Sequence, residues 1–392
     1  MRLTIRSNHL QTRLCRSNPL GDDGIKMRFA TLFLKTQNVH LTKDVGMLPY
    51  LLHKLHATDS VVVTYKNDEE YGYIDDEVKG LKLEFVEKTG GGIIFDGVRY
   101  LAMNAHKIDV LNTYHLNLSS YIYGIVYKRF NPKGRIYLKL DMNPKGLITC
   151  FKKNPVGMIK RSTIKRADIV SVETVKMYEK LKQVYGDKIL YIPNGCYSAG
   201  TEGDVPDKKD VILTVGNLGT YEKATDVLLE AFAKFTEDPK ADSWQLRLVG
   251  TVDDAFKGYV EEYYKRYPKL KERVTFTGPI YDRPKLDKEY SNAKIFTLPS
   301  LSESFGIVLV EAAMNGCYLI TSDMVPAGYD ISDKHKNGTC VKAGDSDELA
   351  AAFLKMTDES INWEEVAKNT AAFVKTAFDW NKIANRLYKA LR

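Results

Sequence analysis

Two glutamates, Glu303 and Glu311, are separated by seven residues in the run SESFGIVLVEAAMNG at positions 302–316. Carboxylates repel phosphate, but they accept hydrogen bonds from hydroxyl groups, which suits a polyhydroxylated ligand such as a sugar. Between them Gly306 allows a ligand to approach the backbone closely, and from Ile307 onward the apolar residues recur at helical spacing, which puts Glu311 about two turns into the helix. Ser302 and Ser304 are candidate N-caps. A helix start offers unpaired N–H groups and a partial positive charge, a natural seat for a phosphate. The competing reading is a strand, loop and helix whose glutamates are merely solvated.

Other residues could join this chemistry. Lys223 stands at the head of a helix in VGNLGTYEKATDVLLEAF, with Asn217 earlier in the same turn. Asp141 follows a strand in YLKLDMNPKG, where it can contact a hydroxyl or simply shape a turn. Gly250 and Gly278 end strands, Ile280 follows the second of them, and Gly46 with Lys43 precedes an apolar helix in LTKDVG. Each glycine has a purely conformational alternative, and Lys223 could be an ordinary surface lysine. His115 lies near a strand end, where a lone histidine is more often structural.

The run at 302–316 resembles the Glu-x7-Glu signature of the retaining, GT-B-fold nucleotide-sugar glycosyltransferases of family four (glycosyl transferases group 1). The resemblance covers about 27 to the C-terminus and is strongest over 211–354. It implies that Glu303 touches the transferred sugar and Glu311 the ribose hydroxyls. By the same resemblance, backbone at Ser304, Phe305, Gly306, Ile307 and Val308 holds the donor's sugar and diphosphate. Lys223 matches a family lysine on the diphosphate, but Asn217 stands where the family has an arginine, removing one positive charge. Gly46 stands where a glycine-rich loop faces the diphosphate, although only one glycine is present. Backbone around Gly278 and Ile280 resembles the base-contacting loop, with Gly250 ending the neighbouring strand. Asp141 occupies the place of a family histidine and is a poorer proton shuttle near neutral pH. The implied reaction moves a sugar from a nucleoside diphosphate to an acceptor hydroxyl with retention, without a metal and with no cofactor beyond the donor. A sugar-nucleotide-binding protein that has lost catalysis, or an epimerase on the same fold, is the alternative.

The elements that must position these residues can be read along the chain. Strand-like runs at 27–34, 60–65, 82–86, 108–112, 135–140, 169–172 and 189–192 alternate with helices, as do a strand and turn at 211–218 and runs at 244–249, 274–276, 292–298 and 318–321. Such alternation predicts parallel sheets with helices on both faces. At 392 residues the chain is long enough for two domains. The expected layout is an extension at 1–26, a Rossmann-like acceptor-binding domain at 27–196, a linker at 197–210 and a Rossmann-like nucleotide-sugar domain at 211–372. The segment 373–392 carries a helix expected to cross back onto the first domain. The fold class is α/β, of GT-B type, with the domains facing across a cleft.

Net charge is +7, and its distribution is uneven. Segment 128–166 has twelve basic residues and one acidic one, Asp141, so it contributes 12 − 1 = +11 and leaves −4 for the rest. Lys128, Arg129, Lys152, Lys153, Lys160, Arg161, Lys165 and Arg166 are the candidate patch, with apolar residues interleaved. An anionic membrane surface or a lipid-linked, glycan or phosphorylated acceptor fits it, a solvated helix face being the alternative; no nucleic-acid module is recognisable. Five scattered cysteines without a CxxC argue for a reducing compartment. No apolar run approaches the ~20 residues of a membrane span. The expected location is cytoplasmic and peripheral at the inner face of a membrane.

Overall fold

The computed structural model of the protein describes residues 26–196 and 208–392. The expected extension, apart from Lys26, and most of the expected linker lie outside the described residues.

The first domain opens with β1 (Arg28–Leu32), α1 (Asp44–His56), β2 (Asp59–Thr64), β3 (Lys82–Phe85) and α2 (Gly92–Asn104). It continues through β4 (Val110–Tyr114), α3 (Leu118–Phe130) and β5 (Arg135–Leu140) to a helical hairpin, α4 (Pro144–Phe151) and α5 (Pro155–Arg166). β6 (Ile169–Val172), α6 (Val175–Tyr185) and β7 (Ile189–Tyr191) complete it. The seven strands are all parallel, in the order β3-β2-β1-β4-β5-β6-β7. In β2 the run SVVVT is buried at every position, as in a strand covered on both faces rather than one.

The second domain consists of β8 (Lys209–Val215), α7 (Thr225–Phe235), β9 (Gln245–Val249), α8 (Lys257–Arg266), β10 (Val274–Gly278) and α9 (Arg283–Asn292). It goes on through β11 (Ala293–Leu298), α10 (Ile307–Met314), β12 (Tyr318–Ser322), α11 (Pro326–Ile331), β13 (Gly338–Val341), α12 (Ser346–Lys355) and α13 (Trp363–Ala377). Its six parallel strands run β10-β9-β8-β11-β12-β13. In both sheets the chain builds outward from a central strand and then reverses direction. The reversal opens a crevice beyond the strand ends between β1 and β4, and again between β8 and β11, where α/β proteins bind ligands.

The last helix, α14 (Trp380–Leu391), belongs to the first domain. Trp380, Ile383, Leu387 and Leu391 form one buried face that joins Leu48, Leu51 and Leu52 of α1 in a common core. Burying each such side chain stabilises by roughly 1.5–3 kcal/mol. Arg135 closes the helix end by donating to the carbonyls of Leu391 (2.7 Å) and Ala390 (3.1 Å), and Tyr388 stacks on His56. α13 continues past residue 373 with Val374 in the core of the second domain, so the chain crosses at Phe378–Asp379, where the Cys196 N–H donates to the Phe378 carbonyl (2.9 Å).

A second link joins the domains. Asp330 of α11 accepts a hydrogen bond from the Val175 N–H at the start of α6 (2.8 Å). Burial pushes the Asp330 carboxyl up to about 6, the Val175 N–H opposing and Glu179 adding to the rise. Because the folded value lies above the unfolded one, this group's stabilisation is complete below about pH 4 and is lost as pH rises through about 6. Asp330→Asn, which mimics the neutral form, is expected to match wild type in melting temperature at pH 4 and to exceed it at pH 7.

Candidate functional site

Three glycines form the floor of the crevice in the second domain. Gly216, Gly250 and Gly278 end or follow β8, β9 and β10, and the Gly250 N–H donates to the Gly278 carbonyl (3.0 Å). Gly250 has φ 139°, and a Cβ there would stand 1.8 Å from the Gly216 carbonyl oxygen. Only glycine fits such a close approach of two backbones. Gly250→Ala is therefore expected to cost about 3 kcal/mol or more in stability, measured by denaturant unfolding.

One wall descends from β8. Asn217, Leu218 and Lys223 line a recess with Gly216, Thr225 and Leu298. The other wall descends from β11 and is tied to the first by the Leu301 N–H, which donates to the Glu222 carbonyl (2.8 Å), while the Glu303 N–H donates to the Met324 carbonyl in the loop after β12 (3.3 Å). These bonds bring Lys223 and Glu303 together across the crevice, Nζ to Oε2 at 2.6 Å, with both side chains only partly exposed. Two residues eighty positions apart thus meet at the point where the strand order reverses.

α10 starts differently from the expectation. Its N-cap is Gly306, in the left-handed region at φ 79°, and no side chain caps it. The left-handed turn starts the helix at Ile307, beyond Ser302 and Ser304, and Ser302 instead accepts from Asn143 of the first domain (3.4 Å). The Ile307 and Val308 N–H groups consequently have no acceptor among the described residues. Phe305 is buried and packs at 6.4 Å from Phe378, so only its backbone is left for a ligand. Ile280 packs, partly buried, in the same apolar cluster as Val308.

Glu311 has partners of its own. It accepts from Arg283 Nη1 (2.6 Å) through one oxygen and from Tyr290 Oη (2.8 Å) through the other. Each carboxylate oxygen keeps a further lone pair for a hydroxyl. Burial, then Glu311, pushes the Tyr290 hydroxyl well above its ordinary range; Arg283 stays above its own because Glu311 and Asp287 outweigh the burial that opposes them. Neither Arg283 nor Tyr290 stood out in the sequence, although Asp282 with Pro284 two residues on is a helix-start signal just past the Gly278–Ile280 loop.

Across the cleft Asp141 is exposed at the end of β5, two residues before Asn143. Beneath it lies a buried ionic cluster. Lys139 is fully buried, paired with Glu173 (2.7 Å) and Asp44 (3.6 Å), and donates to the Ile192 carbonyl (3.1 Å). Asn194 donates to the same Glu173 (2.8 Å). One lysine cannot neutralise several carboxylates; burial, reinforced by Asp141 and Asp44, pushes Glu173 up to about 8 against the pull of Lys139. His115, just beyond β4, holds φ 64°, a strained position for histidine. Gly46 follows Asp44 in the same helical turn. It is buried within the first turn of α1, and a Cβ there would lie 2.2 Å from the Leu41 carbonyl, so packing accounts for its missing side chain.

The basic segment is less uniform than its composition. Lys128 pairs with Asp168 (2.9 Å), Lys139 is in the core, Arg135 closes α14, and Arg166 lies 5.5 Å from the Tyr121 ring. Acidic partners from outside the segment neutralise part of its +11. Arg129, Lys152, Lys153 and Lys165 remain exposed.

Comparison with known proteins matches part of the chain in sequence and nearly all of it in fold. Residues 201–377 match the profile of the family described as glycosyl transferases group 1. Over 213 residues, 53% of this chain and 54% of the relative, the sequence is 29% identical to a phosphatidyl-myo-inositol mannosyltransferase of Mycobacterium leprae. The chain thus matches about half the length of this curated relative. Sucrose-phosphate synthase from Thermosynechococcus elongatus superposes with a TM-score of 0.69 at 20% identity, over 93% of this chain and 99% of that one. The Anabaena protein Alr3699/HepE in complex with UDP does so with a TM-score of 0.69 at 17% identity, over 94% and 99%. Residues 201–377 thus match the glycosyl transferases group 1 profile, and the whole two-domain GT-B fold is shared with these solved structures.

Proposed function

We propose that the protein transfers a sugar from a nucleoside diphosphate to an acceptor hydroxyl with retention of anomeric configuration. The observation that carries this reading is the Lys223–Glu303 pair at 2.6 Å, set beside an uncapped helix start where the strand order reverses. Negative charge grows on the leaving diphosphate and positive character at the anomeric carbon, so preorganised charges of both signs side by side match the transition state. Lys223 and the amides at 305–308 receive the diphosphate, Glu303 orients the sugar, and Glu311 accepts the ribose hydroxyls. The leaving phosphate takes the acceptor's proton on the face where the new bond forms, and no metal is required. Asn217 brings no charge, so Lys223 and the helix amides carry the diphosphate without the second cation the family has at that position.

Asp141 contacts the sugar or the acceptor from the first domain, whose crevice faces the donor. The relative's phosphatidyl-myo-inositol acceptor supports an inositol or other polyol hydroxyl on a lipid, in the synthesis of an envelope glycolipid. Incubation with UDP-, GDP- and ADP-sugars, EDTA and phosphatidylinositol, with proton NMR of the product, tests the reading. An α-linked product from an α-linked donor is expected. A β-linked product, or turnover only after divalent metal is restored, would contradict it.

A further inference from the structure

We infer that the α4–α5 hairpin docks the protein on the surface of an anionic lipid bilayer. The two helices form a preset unit. Asn143 and Asn154 cap them by accepting from the N–H groups of Gly146 and Gly157 (2.8 Å each). Arg161 donates to the carbonyls of Cys150 (2.9 Å) and Lys152 (2.8 Å), and Lys160 to Thr149 Oγ1 (2.6 Å), which ties α5 to the end of α4. Leu147, Cys150 and Ile164 anchor the inner side in the domain core. The outer side and the turn are left with Ile148 (62% exposed), Phe151 (40%), Val156 (56%) and Met158 (61%), flanking Lys152 and Lys153.

Two features separate this surface from ordinary solvated helices. Residues 142–167 contain no acidic side chain. Exposed large apolar side chains occur elsewhere on the first domain, but among the described residues they are densest here, with Ile148, Phe151, Val156 and Met158 all within 148–158 and three of them aliphatic or thioether. Aliphatic side chains beside lysines match the boundary between acyl chains and acidic headgroups. They do not make the aromatic platform on which nucleic-acid bases stack. At 8 and 12 residues the helices are too short to span a bilayer, and no helix among the described residues is long and apolar enough to do so. Docking here would bring the cleft to the bilayer, because Asn143, the N-cap of α4, donates to Ser302 of the second domain.

Vesicle sedimentation measures docking without turnover, so its outcome is independent of the proposed transfer reaction. The full chain is mixed with vesicles of phosphatidylcholine alone or with phosphatidylglycerol added, at low and high salt. Pelleting is expected with the anionic vesicles only, weakening as salt rises. Lys152→Glu/Lys153→Glu is expected to lower partitioning at least roughly thirtyfold, and Ile148→Ser/Met158→Ser to remove what survives high salt. All four side chains are exposed, and an unchanged melting temperature confirms that each variant folds. Should either variant fail to fold, the lipid and salt dependence of the wild type decides. Equal pelleting with both vesicle types, no pelleting with either, indifference to charge reversal, or binding to single-stranded RNA in place of vesicles would overturn the inference.

Discussion

Glu303→Ala and Lys223→Ala are each expected to lose about 10²- to 10³-fold in turnover, yet to move affinity for the nucleoside diphosphate in opposite directions. The loss follows from removing one preorganised group from the site where transition-state charge develops. The opposite effects on affinity follow from the 2.6 Å pair. With Glu303 gone, Lys223 no longer shares its charge with a carboxylate, so a nucleoside diphosphate binds up to about fivefold tighter, consistent with ~1 kcal/mol for a partly exposed pair. With Lys223 gone, the phosphates lose their lysine and binding weakens. Stability changes by no more than ~1 kcal/mol in either variant. Initial rates with a matched acceptor, alongside calorimetric titration of the diphosphate, measure both effects. Parallel loss of affinity in the two variants would show that the pair is a structural strut.

The largest effect on stability is expected at Lys139. Its ammonium has no exposure and answers Glu173, Asp44 and the Ile192 carbonyl, and Glu173 also takes the Asn194 amide just before the domain connection. Lys139→Met leaves Glu173 and Asp44 buried without their cation, so Glu173 must stay protonated and any ionisation of it goes uncompensated. Breaking a buried ionic cluster from one side costs about 3–5 kcal/mol, which for a domain of this size lowers the melting temperature by roughly 10 °C. The sign of the pH dependence is distinctive. Glu173 is held above its ordinary range, so its contribution favours the folded state at low pH and fades as pH rises through about 8. Lys139→Met is therefore expected to be least destabilised near pH 5, where Glu173 is protonated, and most destabilised near pH 9. Thermal unfolding across that range would expose a flat profile if the cluster were inert.

Much of the architecture follows from short-range patterning. The elements Arg135–Leu140, Ile169–Val172, Thr225–Phe235 and Trp380–Leu391 begin and end where apolar periodicity places them. The amphipathic face of the last helix, Ile383, Leu387 and Leu391, is also legible, because a helix with that face must bury it. The hairpin was legible in principle: Asn143–Pro144 and Asn154–Pro155 both pair an N-cap with proline at the first helical position, a signal overshadowed by the charge of the segment.

The site is a different matter. Serines before a helix read as caps, yet Gly306 turns the chain by a left-handed residue and leaves the helix start open. Gly46 reads as a ligand-facing glycine, and the Leu41 carbonyl where its Cβ would stand supplies a packing reason for glycine that spacing does not reveal. Which cation meets which carboxylate depends on loops brought together by the sheet. Glu311 with Arg283, and Lys139 with Glu173 rather than solvent, were invisible to spacing for that reason.

The most direct test of the central claim is calorimetric titration of UDP, GDP and ADP into the wild-type protein and Lys223→Ala, with EDTA present. One of the three is expected to bind one-to-one, with affinity reduced in the variant, and at a hundred times its dissociation constant to stabilise the fold by about 2.7 kcal/mol. Binding of none of them, or equal binding to wild type and variant, would contradict the assignment of the β8–β11 crevice as the donor site.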